Sequence, residues 1–345
     1  MADKQFITEV ISDRPGGSTL GTLAVFRQRG VRCKTERPDV PITPQYLCKL
    51  RLSERDREIL RYLNEIGYAT SGQLTQLFFA NAAYPMKLAS KRLVLLWQWS
   101  VLDRTPSNGL EVFGVQTQLV YSPGPAGILL LSADDPEGKK RKRRGTVLLR
   151  HNALLGETVV GIVQTVRTQG WGCTFYGEQG TYTKFQHDGK WVKMRPDGLL
   201  YIRHPEGAAE LSMFLEMDTS GRELETYTAK VLQYEMYLQS RSWASSHSTF
   251  PGVAVIVWAS DPAGLTPEAQ ARRIKLAEAR LQRVVAWVKA RRRNLGIRWL
   301  FARLDQAQAD DWRLLTEKGE VRQVHLLSSF LNRHGQERAQ SGGKV

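Results

Sequence analysis

The sequence predicts an α+β chain in two folded parts, a small helical unit with a β-hairpin followed by a larger mixed α/β sheet, and three observations predict it. Between Leu52 and Trp99 apolar residues recur at helical spacing in three short runs. From about residue 174 the pattern changes to β-prone segments interrupted by two long helical stretches. Between these parts stands Lys139-Lys140-Arg141-Lys142-Arg143-Arg144. Six consecutive cations repel one another and resist folding, which marks a linker.

Residues 1–49 are rich in Gly, Pro, Arg and Thr (Pro15-Gly16-Gly17, Pro38, Pro41, Pro44), show no sustained period and read as an irregular basic arm. Order begins where Ser53 can cap a helix with Asp56 three residues on; Ile59, Leu60 and Leu63 form its apolar face and Gly67 ends it. A second helix starts at Thr70 or Ser71 and carries Leu74, Leu77, Phe78 and Phe79. A third runs from Tyr84 to Trp99, with Lys87, Lys91 and Arg92 on one side and Leu88, Leu93, Leu95 and Leu96 for the core. Val101 to Arg104 and Gln118 to Tyr121 read as a hairpin, and a short helix from Pro125 to Leu131 closes a unit spanning residues 50–132. Three short helices and a two-stranded wing make a winged helix-turn-helix, whose third helix enters the major groove. Lys87, Lys91 and Arg92 therefore become candidate DNA contacts. The alternatives are an ordinary solvated helix face and a protein-docking module of the same shape. Residues 133–149 form the linker, whose six cations either hold phosphate or serve as a solvated tether.

Residues 150–332 begin with a helix from Asn152 to Thr168. β-prone runs follow at 174–176, 182–185, 198–203 and 211–218. Then come a helix over 223–239, the apolar strand 253–258, a helix over 267–293 and a strand over 297–301. Helix, β-prone runs, helix, strand, helix, strand describes a mixed sheet covered on both faces, with the unbroken apolar strand at its centre. Residues 333–345 read as a frayed tail.

Lys and Arg outnumber Asp and Glu by 49 to 34, for a net charge of +15. A polyanion is the default partner of such a chain, and nucleic acid is the first candidate. A hydrophobic content of 42% with nine Trp is enough for real cores. No apolar run approaches the roughly 18 residues that span a bilayer, and no signal-peptide core opens the chain, so the expectation is a cytoplasmic protein associated with nucleoid or plasmid, without a membrane partner. Cys33, Cys48 and Cys173 are odd in number and widely spaced, which argues against disulfides and zinc. His151 and His187 sit in no recognisable triad and read as surface or packing residues.

The chemistry-bearing pattern is Arg195-Pro196-Asp197-Gly198, then Phe214-Leu215-Glu216-Met217-Asp218, then Lys230, Gln233 and Tyr237. Strand side chains alternate, so Glu216 and Asp218 project together, and antiparallel pairing with the strand opened by Asp197 can gather all three acids. Clustered carboxylates need a cation, and Mg²⁺ (or Mn²⁺) beside a phosphate suits them. Lys230 on the next helix would be the electrostatic partner, with Gln233 and Tyr237 on its helical face and Glu157 as a fourth acid. The plain alternative makes Asp197 a turn residue and pairs Glu216 and Asp218 with Arg195, Lys193 or Arg222.

These residues resemble the PD-(D/E)XK nuclease core, and Gln233 and Tyr237 resemble the Gln-x-x-x-Tyr motif of its RecB-type members. Over residues 50 to 240 the chain is similar to the replication-relaxation family of plasmids and other bacterial mobile elements. Leu52-Ser53-Glu54-Arg55-Asp56-Arg57-Glu58-Ile59-Leu60 and Gln73-Leu74-Thr75-Gln76-Leu77-Phe78-Phe79 carry that likeness together with the two acidic segments. The resemblance implies a restriction-endonuclease-like αβββαβ domain behind the winged helix. It also implies a Mg²⁺-dependent endonuclease acting in DNA replication, relaxation or transfer, with Asp197, Glu216 and Asp218 as metal ligands and Lys230 and Gln233 in catalysis. The nuclease motif expects lysine where Asp218 stands, which keeps open a non-catalytic origin-binding or regulatory protein on a degenerate nuclease fold. DNA is the implied partner, with other replication or transfer proteins of the same element. Paired half-sites would call for a homodimer, although no heptad seam specifies one.

Overall fold

The computed structural model describes residues 41–106, 119–134, 149–204, 207, 210–219, 224–259 and 266–331. Most of the arm, the six linker cations and the tail lie outside these residues.

Within the stretch expected to be irregular, α1 (Pro44–Lys49) forms. Thr43 caps it by accepting from the Tyr46 amide at 3.1 Å, and the Tyr46 hydroxyl donates to the Trp99 carbonyl at 3.0 Å. A cap and a tertiary anchor outweigh local composition here. In α2 (Glu54–Ile66) the expected capping box is present, with Ser53 and Asp56 exchanging bonds, and Gly67 ends the helix at φ 86°. Next come α3 (Ser71–Phe78), with a Thr70/Gln73 box, and α4 (Pro85–Gln98). On α4 the buried face is Ala89, Leu93, Leu96 and Trp97, whereas Leu88, expected in the core, is exposed. β2 (Leu102–Pro106) and β3 (Leu119–Pro123) form the expected hairpin, and β1 (Ala69–Thr70) adds to β3, giving the order β1-β3-β2. α5 (Pro125–Asp134) follows.

The second part runs α6 (Leu149–Thr168), β4 (Gly172–Gly177), α7 (Glu178–Thr181), β5 (Thr183–His187), β6 (Lys190–Met194), β7 (Gly198–Arg203), β8 (Glu210–Asp218), α8 (Glu225–Ser240), β9 (Gly252–Val257), α9 (Pro267–Arg291), β10 (Trp299–Arg303), α10 (Leu304–Gln308), β11 (Trp312–Leu315) and β12 (Val321–Val324). Seven strands make one mixed sheet in the order β12-β11-β10-β9-β8-β7-β4. β4, β7 and β8 are antiparallel, while β8, β9 and β10 run parallel through crossovers containing α8 and α9. β9 holds the centre with all six residues buried, as its apolar run requires. The segment at 182–185 departs from expectation, because it pairs with β6 in a separate two-stranded ribbon. β11 and β12 were not anticipated, since four-residue strands carrying Arg313, Arg322 and Gln323 have no readable period.

The two parts share one apolar core. Ile59, Leu63, Leu74 and Leu93 join Leu154, Val159 and Val163 of α6 and Leu200, Met213, Leu215 and Met217 on one face of the sheet. The other face, with Phe214, Val253 and Val255, packs on Val231 and Tyr234 of α8 and Leu281 and Val284 of α9. At the seam a Cβ on Gly177 would lie 2.0 Å from the Glu65 carbonyl oxygen, so only glycine permits the approach. Buried Gln73 accepts from the Thr70 amide at 2.9 Å and donates to the Ala153 carbonyl at 2.7 Å and to Glu157 at 2.8 Å.

Glu157 is therefore engaged at this seam, where burial pushes its carboxyl up from 4.5 to about 7 and the Gln73 bond only partly offsets the rise. A raised folded value means that the native state holds the proton more tightly. That stability is complete below 4.5 and is lost as pH rises through about 7. Glu157→Gln keeps the acceptor and removes the charge. It is expected to stabilise the protein at about pH 8 by on the order of 2 kcal/mol, with little change near pH 5. Thermal denaturation at both pH values checks this, and equal shifts at the two would contradict it.

Candidate active site

Gly198 of β7 faces Leu215 of β8, so one step further along the antiparallel register Asp197 faces Glu216. The Asp197 amide continues the ladder by donating to the Leu215 carbonyl at 3.1 Å. Directly opposed residues project to the same side, which makes these two acids neighbours. Behind them a Cβ on Gly198 would sit 2.6 Å from the Phe175 ring, so the glycine lets that ring pack beneath the turn.

Asp197 Oδ2 accepts from the Met217 amide at 2.8 Å, and Oδ1 lies 3.4 Å from His151 Nε2 on the first turn of α6. Burial works against its charge, but Lys230, His151 and the Met217 amide outweigh burial and hold the carboxyl below the ordinary range. Glu216 is buried; Oε1 accepts from the Tyr234 hydroxyl at 2.8 Å and Oε2 pairs with Lys230 Nζ. Lys230 and Tyr234 are four residues apart and thus share one face of α8. Burial pushes the Glu216 carboxyl upward, the Lys230 charge opposes that shift and the Asp197 charge adds to it. Two adjacent acids are thus driven in opposite directions, Asp197 toward ionisation and Glu216 toward protonation.

Asp218 shares the Glu216 face of β8 but has a different partner. Arg280 of α9 donates to Asp218 Oδ2 at 2.8 Å, and Tyr227 supplies a second hydrogen bond. Of the three acids expected as one cluster, the structure gathers Asp197 and Glu216 around Lys230 and places Asp218 in a buried ion pair. Its partner lies 62 residues along the chain, beyond the reach of spacing rules, and the anticipated Arg195 bonds Glu178 at 3.3 Å instead. Gln233 is half-buried on α8. Tyr237 is buried against Phe185 and Phe250, with ring centroids 5.1 and 5.9 Å away, so the hydroxyl at Glu216 comes from Tyr234. His151, expected at the surface or in packing, reaches Asp197; no local pattern could have announced it, because its partner is in another element. Among the described residues no group of three or more His, Cys, Asp or Glu is placed to hold a metal ion.

On α4, Lys87 and Lys91 are exposed beside exposed Tyr84 and Met86. Arg92 is committed elsewhere. Its Nε donates to Asp56 Oδ1 at 2.8 Å, its Nη2 reaches Asp56 Oδ2 and the Arg51 carbonyl, and its guanidinium covers Trp99. It ties α4 to the capped start of α2. Lys139, Lys140, Arg141, Lys142, Arg143 and Arg144 lie outside the described residues.

The family model for replication-relaxation matches residues 60–253, more than half of the chain, and the chain belongs to that family. Neither the curated proteins nor the solved structures provide a match. The matched stretch contains His151, Asp197, Glu216, Lys230 and Tyr234. Membership suggests a role in the replication or relaxation of mobile elements. Among the described residues no helix is long and apolar enough to cross a membrane.

Proposed function

We propose that this protein binds the DNA of a mobile element and hydrolyses a phosphodiester bond at Asp197, Glu216 and Lys230 with the help of Mg²⁺ or Mn²⁺. The observation that carries this reading is the opposition of Asp197 and Glu216 on adjacent strands with one lysine serving both. The path α6-β4-β7-β8-α8-β9 has the αβββαβ order of PD-(D/E)XK nucleases, and α2 to α4 with the β1-β3-β2 sheet suit a winged helix that presents Lys87 and Lys91 to phosphate.

Two carboxylates beside a histidine fit Mg²⁺, which takes one or two carboxylates and completes its shell with water and phosphate oxygens. Asp197 and Glu216 would hold the ion, which when bound supplies an activated water and neutralises charge on the phosphate. Lys230 offsets the charge of the acid pair and would neutralise charge on a bound phosphate. Tyr234 fixes the orientation of Glu216, and His151 with the Met217 amide fixes Asp197.

A second reading, a DNA-binding factor without catalysis, is favoured by one observation. Both Glu216 oxygens are already engaged, so Lys230 stands as a built-in cation. Mn²⁺ titration followed by electron paramagnetic resonance separates the two. The nuclease reading expects saturable binding that Asp197→Asn removes, and the second reading expects none.

A further inference from the structure

The β5–β6 ribbon has an unusual open face. Lys184 stands opposite Lys193, and Gln186 stands opposite Trp191. All four are exposed, Trp191 to 59%, and Lys184 Nζ lies 4.4 Å from the centre of the Trp191 ring. The other face is conventional: Phe185 and Met194 are buried, and Phe185 packs on Tyr237 of α8. Two lysines directly opposed across a ribbon repel each other, and a tryptophan exposed to 59% leaves apolar area in water that the Lys184 contact with its ring offsets only in part. Between Thr183 and Arg195 the only acid is Asp188, in the turn. Arg195 follows, exposed, with its guanidinium 5.3 Å from the Tyr182 ring and bonded to Glu178 of α7 at 3.3 Å. Asp197 comes three residues after the end of β6.

We infer that this ribbon is a platform for single-stranded DNA, with a base stacked on Trp191 and the sugar-phosphate chain held by Lys184 and Lys193. An exposed ring flanked by two lysines, on strands that carry no acid of their own, has the chemistry of sites that take unpaired bases, because a base offers its face only when it has left the duplex. The inference rests on the DNA-binding reading above and adds to it the form of DNA that the protein takes.

Fluorescence anisotropy with labelled oligo(dT) and with a duplex of equal length, measured on the full chain, tests it. Trp191→Ala should weaken oligo(dT) binding by about tenfold or more, change duplex binding by less than about twofold, and leave the thermal midpoint unchanged. Trp191→Phe should retain most of the single-strand affinity. Lys184→Gln with Lys193→Gln should lower the salt slope on oligo(dT) by about 1.4. Duplex binding by the wild type, with oligo(dT) affinity indifferent to Trp191 or equally reduced on both DNAs, overturns the platform alone. Binding of neither DNA by the wild type overturns the DNA-binding reading together with it.

Discussion

Arg280→Ala is expected to cost about 3–5 kcal/mol of folding stability, which for a chain of this size lowers the melting midpoint by roughly 4–7 °C. The Asp218 side chain is fully buried and that of Arg280 nearly so, at 0% and 8% exposure. Removing the guanidinium leaves a carboxylate in a dry interior without its Arg280 counterion, a charge that the neutral Tyr227 hydroxyl does not offset. A buried charge without its counterion is costlier than the pair is valuable, so deleting both charges should be far milder. Arg280→Met combined with Asp218→Leu is therefore expected to recover most of the loss. Urea denaturation of the single and double variants measures both effects. A single variant that melts with the wild type would show that Asp218 is not held in the way described.

Asp197→Asn is expected to reduce divalent-ion-dependent DNA cleavage by about a thousandfold or more, a loss in the range set by electrostatic and metal contributions to phosphoryl chemistry. The substitution preserves size and the acceptor for the Met217 amide, so the turn at Gly198 should persist. What disappears is the carboxylate charge that Lys230, His151 and the Met217 amide maintain. Without it Lys230 keeps Glu216, whose burial already disfavours ionisation, and the pair no longer offers the negative potential a divalent cation needs. Metal-free DNA affinity should be unchanged or slightly higher, because one negative charge has been removed. Loss of cleavage with retained affinity distinguishes a chemical role from a folding defect.

The parts of the fold legible in the sequence are those written in local periodicity and caps. Ser53/Asp56, Thr70, the leucines of α4 and the apolar run of β9 each state their element within a few residues. The failures have one cause, which is tertiary context. α1 depends on Tyr46 reaching Trp99, and Leu88 is exposed although it lies in a leucine-rich helix. Residues 182–185 look like a sheet strand but pair with Lys190–Met194. The basic run at 139–144 suggests two separate bodies, whereas α2, α3, α6 and the sheet are fused by a common core. At the site, the opposition of Asp197 and Glu216 was readable because antiparallel pairing of their strands places them side by side. Their companions were not, since His151 and Arg280 come from helices before and after the acidic strands. Tyr234 was missed for a subtler reason: it sits one helical turn from Lys230 and was overshadowed by Tyr237 one turn further on. The Arg92–Asp56 pair shows the same limit, for a basic residue on a candidate DNA-reading helix proves to be an internal clamp.

Conversion of supercoiled plasmid to nicked or linear form with Mg²⁺, scored per folded molecule for wild type, Asp197→Asn and Asp218→Asn, tests the central claim most directly. Cleavage by the wild type, its loss in Asp197→Asn and its survival within about tenfold in Asp218→Asn is the expected result, with Asp197 serving the chemistry and Asp218 the fold. Equal activity in all three, or an equal collapse in both variants, would contradict it.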